Sequence, residues 1–480
     1  METIKIKKVN DVYLKIECEP STSYELSDYF TFEVPGASFM PSVRNKLWDG
    51  KIRLFNALTC TLYVGLLSHL EQFCESRKYK IEYESDFSDD NFSLKEAKEF
   101  ANSLSEKITP RDYQLDAFVH AVRKRRALLL SPTASGKSFI IYMLVKYYNL
   151  KTLIVVPTTT LVHQMAADFI DYGYDGEIHK IYAGQDKVSD KPIVITTWQS
   201  IYKEKKHLFD EYDLVIGDEA HLFKAKSLTS IMEKLDNCKY RFGFTGTLDG
   251  TQTNKLVLEG LFGKVQHVTT TAKLIEEKHL SEFKIKGIVL TYPDEVRQMM
   301  ARAKDYQAEM DYIVRCKARN KFIKNLALSL EGNTLLLFQF VDKHGKELYE
   351  MIKKEADCPV FFVHGGVDGN EREEIRSIVG KEKKSIIIAS YGTFSTGINI
   401  PSIENVIFSS PSKSRVRNLQ SIGRGLRKSA SKRSATLYDI ADDMSWKKNK
   451  NYTLLHFMER IKIYNEEKFK YKLYKVSIKV

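Results

Sequence analysis

The segment ALLLSPTASGKS at residues 127–138 has the residue types of a phosphate-binding loop. An apolar strand leads into a turn of small residues, and Gly136-Lys137-Ser138 opens a helix-like run, FIIYMLVKYY. Backbone N–H groups at such a helix start can cradle phosphate oxygens, and the helix dipole adds to the attraction. We expect Lys137 to reach the β- and γ-phosphates of a nucleotide and Ser138 to place its hydroxyl on Mg²⁺. The alternative for so short a match is a plain strand–helix turn.

A pair of carboxylates follows a second apolar strand, in DLVIGDEAH at residues 213–221. Carboxylates at the carboxyl end of a parallel strand face the crevice where ligands bind. Asp218 can hold Mg²⁺ through water, and Glu219 can orient and deprotonate an attacking water. A surface Asp-Glu pair is the alternative, and the phosphate-loop pattern upstream in the same α/β block argues against it.

A third candidate is a basic segment near the C-terminus. From Lys413 to Arg433 there are eight basic residues and no acidic one. A guanidinium aimed at a γ-phosphate stabilises the charge of the transition state. A basic surface for nucleic acid is the alternative, and both roles fit because one phosphate needs fewer arginines than this segment offers.

The elements that must position these residues form four blocks. Residues 105–270 and 271–444 each alternate short apolar runs with helix-like segments, which predicts two tandem α/β domains with buried parallel sheets. Residues 1–104 open with alternating patterns such as IKIKKV and predict a small α+β domain. Residues 445–480 predict a basic helical tail with an amphipathic helix.

Composition narrows the class of protein. The 480 residues carry a net charge of +12, and 43% of them are hydrophobic, which excludes a wholly disordered or collagen-like chain. The six cysteines are scattered without a C-x-x-C pair, so neither a zinc ribbon nor a disulfide framework is indicated. We find no signal-peptide pattern and no membrane-length apolar run, and we expect a cytoplasmic protein. The basic balance suits an anionic partner, nucleic acid or a membrane surface, and a merely soluble basic surface is the alternative.

Taken together, these residues resemble the motifs of superfamily 2 helicases of the DExH type over about residues 108–440. The segments that carry the resemblance, in chain order, are Arg111-Asp112-Tyr113-Gln114, SPTASGKS, VVPTTTLVHQ (155–164), TTWQS (196–200), Asp218-Glu219-Ala220-His221, Thr245-Gly246-Thr247, FSTGINIP (394–401) and QSIGRGLR (420–427). The phosphate loop departs from the usual pattern, with Ser131 and Ala134 at positions where glycine is common.

The resemblance implies two RecA-like domains with ATP and Mg²⁺ between them. It makes Lys137, Asp218, Glu219, Gln420, Arg424 and Arg427 the catalytic set, with the two arginines as arginine fingers. Ser138 and Asp218 would hold the metal, and Gln114 would read the adenine. The implied ATP contacts are Arg111, Gln114, Ser131, Pro132, Thr133, Ala134, Ser135, Gly136, Lys137, Ser138, His221 and Gly397. The implied nucleic-acid contacts of the motor are Pro157, Thr158, Thr197, Trp198, Gln199, Gln339, Thr393 and Thr396.

The first block resembles the N-terminal domain of UvsW-type phage recombination helicases in its segment 25–56, ELSDYFTFEVPGASFMPSVRNKLWDGKIRLFN. Its basic residues, interleaved with Phe39, Trp48 and Phe55, suit a phosphate backbone and an exposed base. The candidates for nucleic-acid contact are Arg44, Lys46, Trp48, Lys51 and Arg53. The alternative is that the aromatic residues are core and the charges a solvated face.

The resemblance implies an ATP-dependent DNA helicase that remodels branched DNA, by branch migration, fork regression, or D-loop or R-loop unwinding. Its partners would be branched or duplex DNA, or an RNA–DNA hybrid, with a single-strand-binding protein or recombinase as a candidate protein partner. We expect a monomeric protein that acts inside the host cell of a phage and does not bind a membrane. Three alternatives stay open: an RNA helicase, the motor subunit of a restriction system, and a nucleic-acid-binding module with an inactive ATP site.

Overall fold

The computed structural model describes residues 2–104, 108–182, 184–303, 305–393, 400, 402–411, 414, 422 and 434–479. The chain forms two compact units, Met1–Thr269 and Thr270–Val480. The finer division into four blocks remains a prediction.

The N-terminal part of the first unit is a five-stranded sheet with the strand order β5-β6-β2-β1-β7 and a separate hairpin of β3 and β4. The alternation read from IKIKKV is realised in β1, where Ile4 and Ile6 are buried and Lys5 and Lys7 are exposed. Its elements are β1 Thr3–Lys8, β2 Tyr13–Glu17, α1 Pro20–Tyr29, β3 Thr31–Glu33, α2 Pro41–Arg44, β4 Lys51–Arg53, β5 Phe55–Asn56, β6 Thr61–Tyr63, α3 Leu67–Arg77, β7 Lys80–Tyr83 and α4 Leu94–Leu104.

The rest of the first unit is a seven-stranded parallel sheet in the order β10-β11-β9-β12-β13-β8-β14. Its central strands are buried along their whole length, because helices cover both faces of a parallel sheet. The elements are α5 Asp112–Lys124, β8 Arg126–Leu130, α6 Lys137–Tyr148, β9 Thr152–Val156, α7 Thr159–Asp171, β10 Ile178–Ile181, β11 Ile193–Thr197, α8 Trp198–Ile201, β12 Leu214–Asp218, α9 Lys226–Lys234, β13 Tyr240–Thr245, α10 Gln252–Phe262 and β14 Val265–His267.

The two sheets of the first unit share one hydrophobic core, and polar contacts fasten them together. The hydroxyls of Tyr13 and Tyr63 both donate to Oε1 of Glu233, at 3.2 and 2.7 Å. Nε2 of His69 lies 2.7 Å from Oε2 of Glu259, a carboxylate that is only 1% exposed. The N-terminal sheet is therefore an integral part of this unit.

The second unit is also a seven-stranded parallel sheet, in the order β17-β18-β16-β19-β20-β15-β21. The elements are α11 Thr271–Glu276, β15 Glu282–Thr291, α12 Asp294–Ala303, α13 Tyr306–Arg315, α14 Lys317–Ser329, β16 Asn333–Phe338, α15 Lys346–Lys353, β17 Val360–Val363, α16 Gly369–Lys381, β18 Ser385–Ser390, β19 Ile403–Phe408, β20 Ser434–Asp443, the C-terminal helix Tyr452–Glu466 and β21 Tyr471–Ser477. The predicted fold class, two parallel-sheet α/β domains with a small N-terminal α+β domain, is confirmed.

The C-terminal block differs from the helical tail that we predicted, because only its first part is a helix. The remainder is β21, which pairs in parallel with β15 at the edge of the sheet. The segment YKLYKVS lacks the apolar run of a central strand, since an edge strand leaves its lysines in solvent. The helix is tied down by Arg460, whose guanidinium pairs with Asp439 in the core at 2.8 Å.

Candidate nucleotide site and nucleic-acid interface

The phosphate loop connects the end of β8 to the start of α6. The amide of Ser131 donates to the carbonyl of Thr245 at 2.8 Å, which ties the loop to β13. The hydroxyls of Ser131 and Ser135 lie 2.5 Å apart, so a hydrogen bond within the loop joins these two residues. Gly136 has a φ of +79°, and a Cβ there would meet the side-chain nitrogen of Gln114 at 2.4 Å. Only glycine suits that position.

Gln114 holds the loop from the start of α5. Its Oε1 accepts from the backbone amide of Arg111 at 2.9 Å, and its Nε2 donates to the carbonyl of Ser135 at 3.0 Å. The hydroxyl of Tyr113 donates to the same carbonyl at 3.1 Å. The residues implied for adenine recognition therefore also brace the phosphate loop.

Two carboxylates at the end of β12 face the lysine of the loop. Nζ of Lys137 lies 3.6 Å from Oδ1 of Asp218 and 3.4 Å from Oε1 of Glu219. Burial alone would lower the pKa of Lys137, but the two carboxylates raise it above its ordinary value. Burial opposes ionisation of Glu219, yet the charges of Lys137 and His221 lower its pKa to about 2. Burial raises the pKa of Asp218, and the charge of Glu219 raises it further, while Lys137 offsets part of this shift.

His221 connects this pair of acids to the end of β13. The hydroxyl of Thr245 donates to the carbonyl of Thr247 at 2.9 Å, so it accepts from Nδ1–H of His221, also at 2.9 Å. The same Nδ1 is 3.4 Å from Oε2 of Glu219, a distance for charge attraction, with its N–H directed at Thr245. The DEAH segment and the Thr-Gly-Thr segment therefore meet beside the phosphate loop.

The side chains at this site fit a nucleotide with a divalent cation. A hydroxyl and a carboxylate are oxygen donors that Mg²⁺ takes, and Ser138 and Asp218 supply them. Oε2 of Glu219 is buried and accepts no hydrogen bond within the described part of the chain, which suits an oriented water.

The backbone of Glu219 is in the left-handed region, with a φ of +50°. A non-glycine residue in this region costs energy, and such residues cluster where function requires one orientation. Ala134, in the phosphate loop, has a φ of +65°. That position suits the glycine that related loops carry, whereas Ser131 has no such requirement.

The candidate contacts of motifs Ia and Ib lie together at the carboxyl ends of β9 and β11. Thr158 caps α7, and Nε2 of Gln199 donates to the carbonyl of Pro157 at 3.5 Å. They line an open groove of about 590 Å³. Thr197 is buried and lines it too, while Trp198 packs its ring against Tyr202, with centroids 5.7 Å apart. The groove also contains residues that no motif indicated, Tyr182, Gln185 and Lys187.

Some of the candidate nucleic-acid contacts in the N-terminal domain have exposed side chains, and others are hydrogen-bonded or ion-paired within the domain. Arg44 and Lys46 are exposed. Lys51 and Trp48 are half-buried, and the indole N–H of Trp48 donates to the carbonyl of Lys51 at 2.9 Å. Arg53 is paired with Asp49. Phe55 is a core residue, as the alternative interpretation of the aromatic residues holds, whereas Phe39 is 75% exposed.

In the second unit, Gln339 follows β16 and is exposed, and Thr393 follows β18 and is buried with its hydroxyl 2.8 Å from that of Ser390. The carboxyl ends of these two strands are neighbours in the sheet. The candidates Thr396, Gly397, Gln420, Arg424 and Arg427 lie outside the described residues.

Two parallel seven-stranded sheets, one with a lysine and two acids at a phosphate loop, define the class of the protein as a helicase motor of superfamily 2. Residues 107–250 match the family "Type III restriction enzyme, res subunit", residues 318–429 the "Helicase conserved C-terminal domain", and residues 3–84 "DNA helicase UvsW, N-terminal". The sequence is 37% identical to the ATP-dependent DNA helicase uvsW of Enterobacteria phage T4, over 99% of this chain and 100% of the relative. The chain belongs to the UvsW helicase family.

Solved structures agree with this assignment. The crystal structure of T4 UvsW matches with a TM-score of 0.52 and 36% identity over 99% of both chains. A fragment of a putative HsdR subunit of a type I restriction enzyme from Vibrio vulnificus has a TM-score of 0.59 and 18% identity, over 86% of this chain and 75% of that chain. At that identity the likeness shows a shared fold alone. The predicted family is confirmed.

No helix among the described residues is both long and apolar enough to cross a bilayer.

Proposed function

We propose that this protein uses ATP hydrolysis to remodel branched DNA, by branch migration, fork regression, or unwinding of D-loops or R-loops. One observation carries the proposal: an N-terminal domain of the UvsW type shares its core with a motor domain whose phosphate loop faces two acids. The T4 relative is an ATP-dependent DNA helicase by name, and this chain covers its full length.

In the proposed reaction, Lys137 holds the β- and γ-phosphates, while Ser138 and Asp218 hold Mg²⁺. Mg²⁺ neutralises charge on the phosphate oxygens when it is bound. Glu219 is the base that orients the attacking water, because its low pKa keeps it ionised and one of its oxygens is free of protein donors. Gln420, Arg424 and Arg427 are proposed to contact the γ-phosphate on the strength of their motif.

His221 is proposed to report the state of the γ-phosphate to Thr245. The hydrogen bond between these residues is in place beside Glu219, so movement of that acid would be passed through His221 to Thr245 at the end of β13. A contact that switches between two discrete arrangements is a common means of coupling hydrolysis to movement.

Nucleic acid is proposed to follow the groove at the carboxyl ends of β9 and β11 and to reach the exposed Arg44 and Lys46 of the N-terminal domain. The groove offers hydroxyl, amide and lysine donors of the kind that bind phosphates. Since the N-terminal sheet is fastened to the first motor sheet, DNA held by both would move with that unit.

We propose a monomer that acts on branched or duplex DNA, or on an RNA–DNA hybrid, inside a phage-infected cell. A single-strand-binding protein or a recombinase is the proposed protein partner.

The test is steady-state ATPase activity without nucleic acid and with linear duplex, single strand, four-way junction and structured RNA. We expect the largest stimulation from the junction. Stimulation by RNA alone would favour the RNA helicase, and no activity with any of these would favour the module with an inactive ATP site.

A further inference from the structure

The segment of residues 34–50, which we call the wedge loop, exposes large apolar side chains. It joins β3 to β4 in the N-terminal domain. Phe39 is 75% exposed, Leu47 is 81% exposed and Met40 is 40% exposed. Single exposed apolar residues are common on protein surfaces, but three within nine residues of one loop indicate an interaction site.

Backbone hydrogen bonds within the wedge loop hold these apolar side chains in their exposed positions. The amide of Val34 donates to the carbonyl of Gly50 at 2.9 Å and closes its base. The amides of Leu47 and Trp48 both donate to the carbonyl of Ser42, at 2.8 and 3.2 Å. Gly50 lies under Ala37, where a Cβ would approach within 2.9 Å. The apolar side chains are therefore presented by a preorganised scaffold.

The charges of the wedge loop indicate a nucleic-acid partner. Arg44 and Lys46 are exposed on the same loop, and its one carboxylate, Asp49, is paired with Arg53. Exposed cations bind phosphates, and apolar side chains beside them meet the bases.

The types of the apolar residues distinguish two modes of binding to bases. A platform for successive unpaired bases needs several aromatic rings, and this loop exposes one. Phenylalanine, leucine and methionine are the side chains that enter between base steps and part them. This composition favours insertion into a stack over stacking along a single strand.

We propose that Phe39, Met40 and Leu47 form an apolar wedge that enters the base stack at the branch point of a DNA junction and parts the strands. The inference rests on the proposed function. The wedge loop connects the two strands of the β3–β4 hairpin, and Phe32 and Ile52 of that hairpin pack against the core shared with the first motor sheet, so the loop advances with that motor. Arg44 and Lys46 hold the flanking phosphates while the apolar side chains separate the bases.

The test uses the full-length protein with the double substitution Phe39→Ser and Leu47→Ser. Leu58→Ser is the matched control, because Leu58 is 96% exposed in the same domain but outside the wedge loop. All three side chains lie in solvent, so we expect the variants to fold, and thermal melting checks this. Phe39→Trp is a second variant that keeps an aromatic wedge.

Two measurements distinguish a failure of the wedge proposal from a failure of the proposed function. A 2-aminopurine at the branch point of a four-way junction, without ATP, reports unstacking directly. We expect a fluorescence rise with the wild type, Leu58→Ser and Phe39→Trp, and its loss in the double variant. With ATP, we expect the double variant to keep duplex-stimulated ATPase within about twofold and to unwind junctions at least tenfold more slowly.

Three outcomes would overturn the wedge proposal. One is a 2-aminopurine signal in the double variant equal to that of the wild type. Another is an equal loss of duplex-stimulated ATPase and junction unwinding, which would make the loop a general DNA contact. A third is self-association of the wild type that the double variant abolishes in sedimentation, which would make the patch an interface between copies. Normal unstacking by a wild type that unwinds no junction would instead refute the proposed function alone.

Discussion

The hydroxyl of Tyr172 lies 2.7 Å from Oγ of Ser138, the residue proposed to hold Mg²⁺. Tyr172 directly follows α7, the helix that begins beside Thr158 in the proposed nucleic-acid groove. Its ring packs against Phe139 and Tyr142, with centroids 5.2 and 5.5 Å away. One helix therefore connects a candidate DNA contact to a candidate metal ligand.

We expect Tyr172→Phe to weaken Mg²⁺ binding while the ring packing stays intact. A serine oxygen bound to a cation must give its hydrogen to an acceptor, and the phenol oxygen is in place. Loss of such a hydrogen bond costs ~1 kcal/mol, or about a fivefold rise in the Mg²⁺ concentration for half-maximal ATPase activity. Titration of Mg²⁺ in ATPase and nucleotide-binding assays checks this, with Tyr174→Phe as the control. An unchanged Mg²⁺ dependence would leave Tyr172 with a packing role only.

Ala134 and Ser131 are the two residues that depart from the usual phosphate-loop pattern, and replacing each by glycine should change the free energy of unfolding in opposite directions. Ala134→Gly relieves a left-handed backbone, and we expect the free energy of unfolding to rise by ~0.5 kcal/mol, net of the greater entropy of the unfolded chain. Ser131→Gly removes the buried hydrogen bond to Ser135, and we expect a loss of ~1 kcal/mol. Urea unfolding of both variants measures the difference. The same sign in both would contradict this account of the loop.

Glu219→Gln should retain ATP binding and lose turnover, because the amide cannot accept the proton of the attacking water. We expect Lys137→Ala to abolish hydrolysis and unwinding while junction binding stays largely intact. Nucleotide binding, steady-state ATPase and gel-shift assays compare the two variants. Wild-type turnover in Glu219→Gln would remove Glu219 as the base, and full activity in Lys137→Ala would refute the phosphate loop.

The contact between His69 and Glu259 should make the stability of the first unit depend on pH. Burial alone would raise the pKa of Glu259, but hydrogen bonds from His69 and the amide of Val265 lower it below its ordinary value of 4.5. A lowered pKa adds stability that is fully present above pH 4.5 and is lost as the pH falls through the folded value. We expect thermal melts between pH 3 and 7 to show this loss in the wild type. Glu259→Gln should be less stable at pH 7 and show a smaller loss on acidification. Identical pH profiles would argue against the contact.

Neutralising the basic residues of the N-terminal domain should weaken DNA binding in a salt-dependent way. Each phosphate contact contributes about 0.9 to the slope of log K against log salt concentration for duplex DNA. We expect replacement of Arg44, Lys46 and Lys51 by glutamine to reduce that slope by ~2–3 for branched DNA. Replacement of Lys95 and Lys98, on α4, is the control for a general change of charge. An unchanged slope would make this face a solvated surface.

The sequence by itself predicted the parts of the fold and site that depend on contiguous residues. Lys137 and Ser138 follow one another at a strand–helix turn, and Asp218 and Glu219 end one strand, so local pattern placed them. The buried runs of β9 and β12 predicted parallel sheets because both faces of such strands must be apolar.

Only the tertiary structure decided features that depend on distant partners. Tyr172 reaches Ser138 across 34 positions of the chain, and no spacing rule covers that separation. Phe39 and Phe55 have the same side chain, yet the first is in solvent and the second is in the core. The strand β21 has an edge pattern that becomes a strand only because β15 offers unpaired backbone groups. Local patterns report the chemistry of neighbours in sequence, whereas burial and pairing are fixed by the residues that folding brings together.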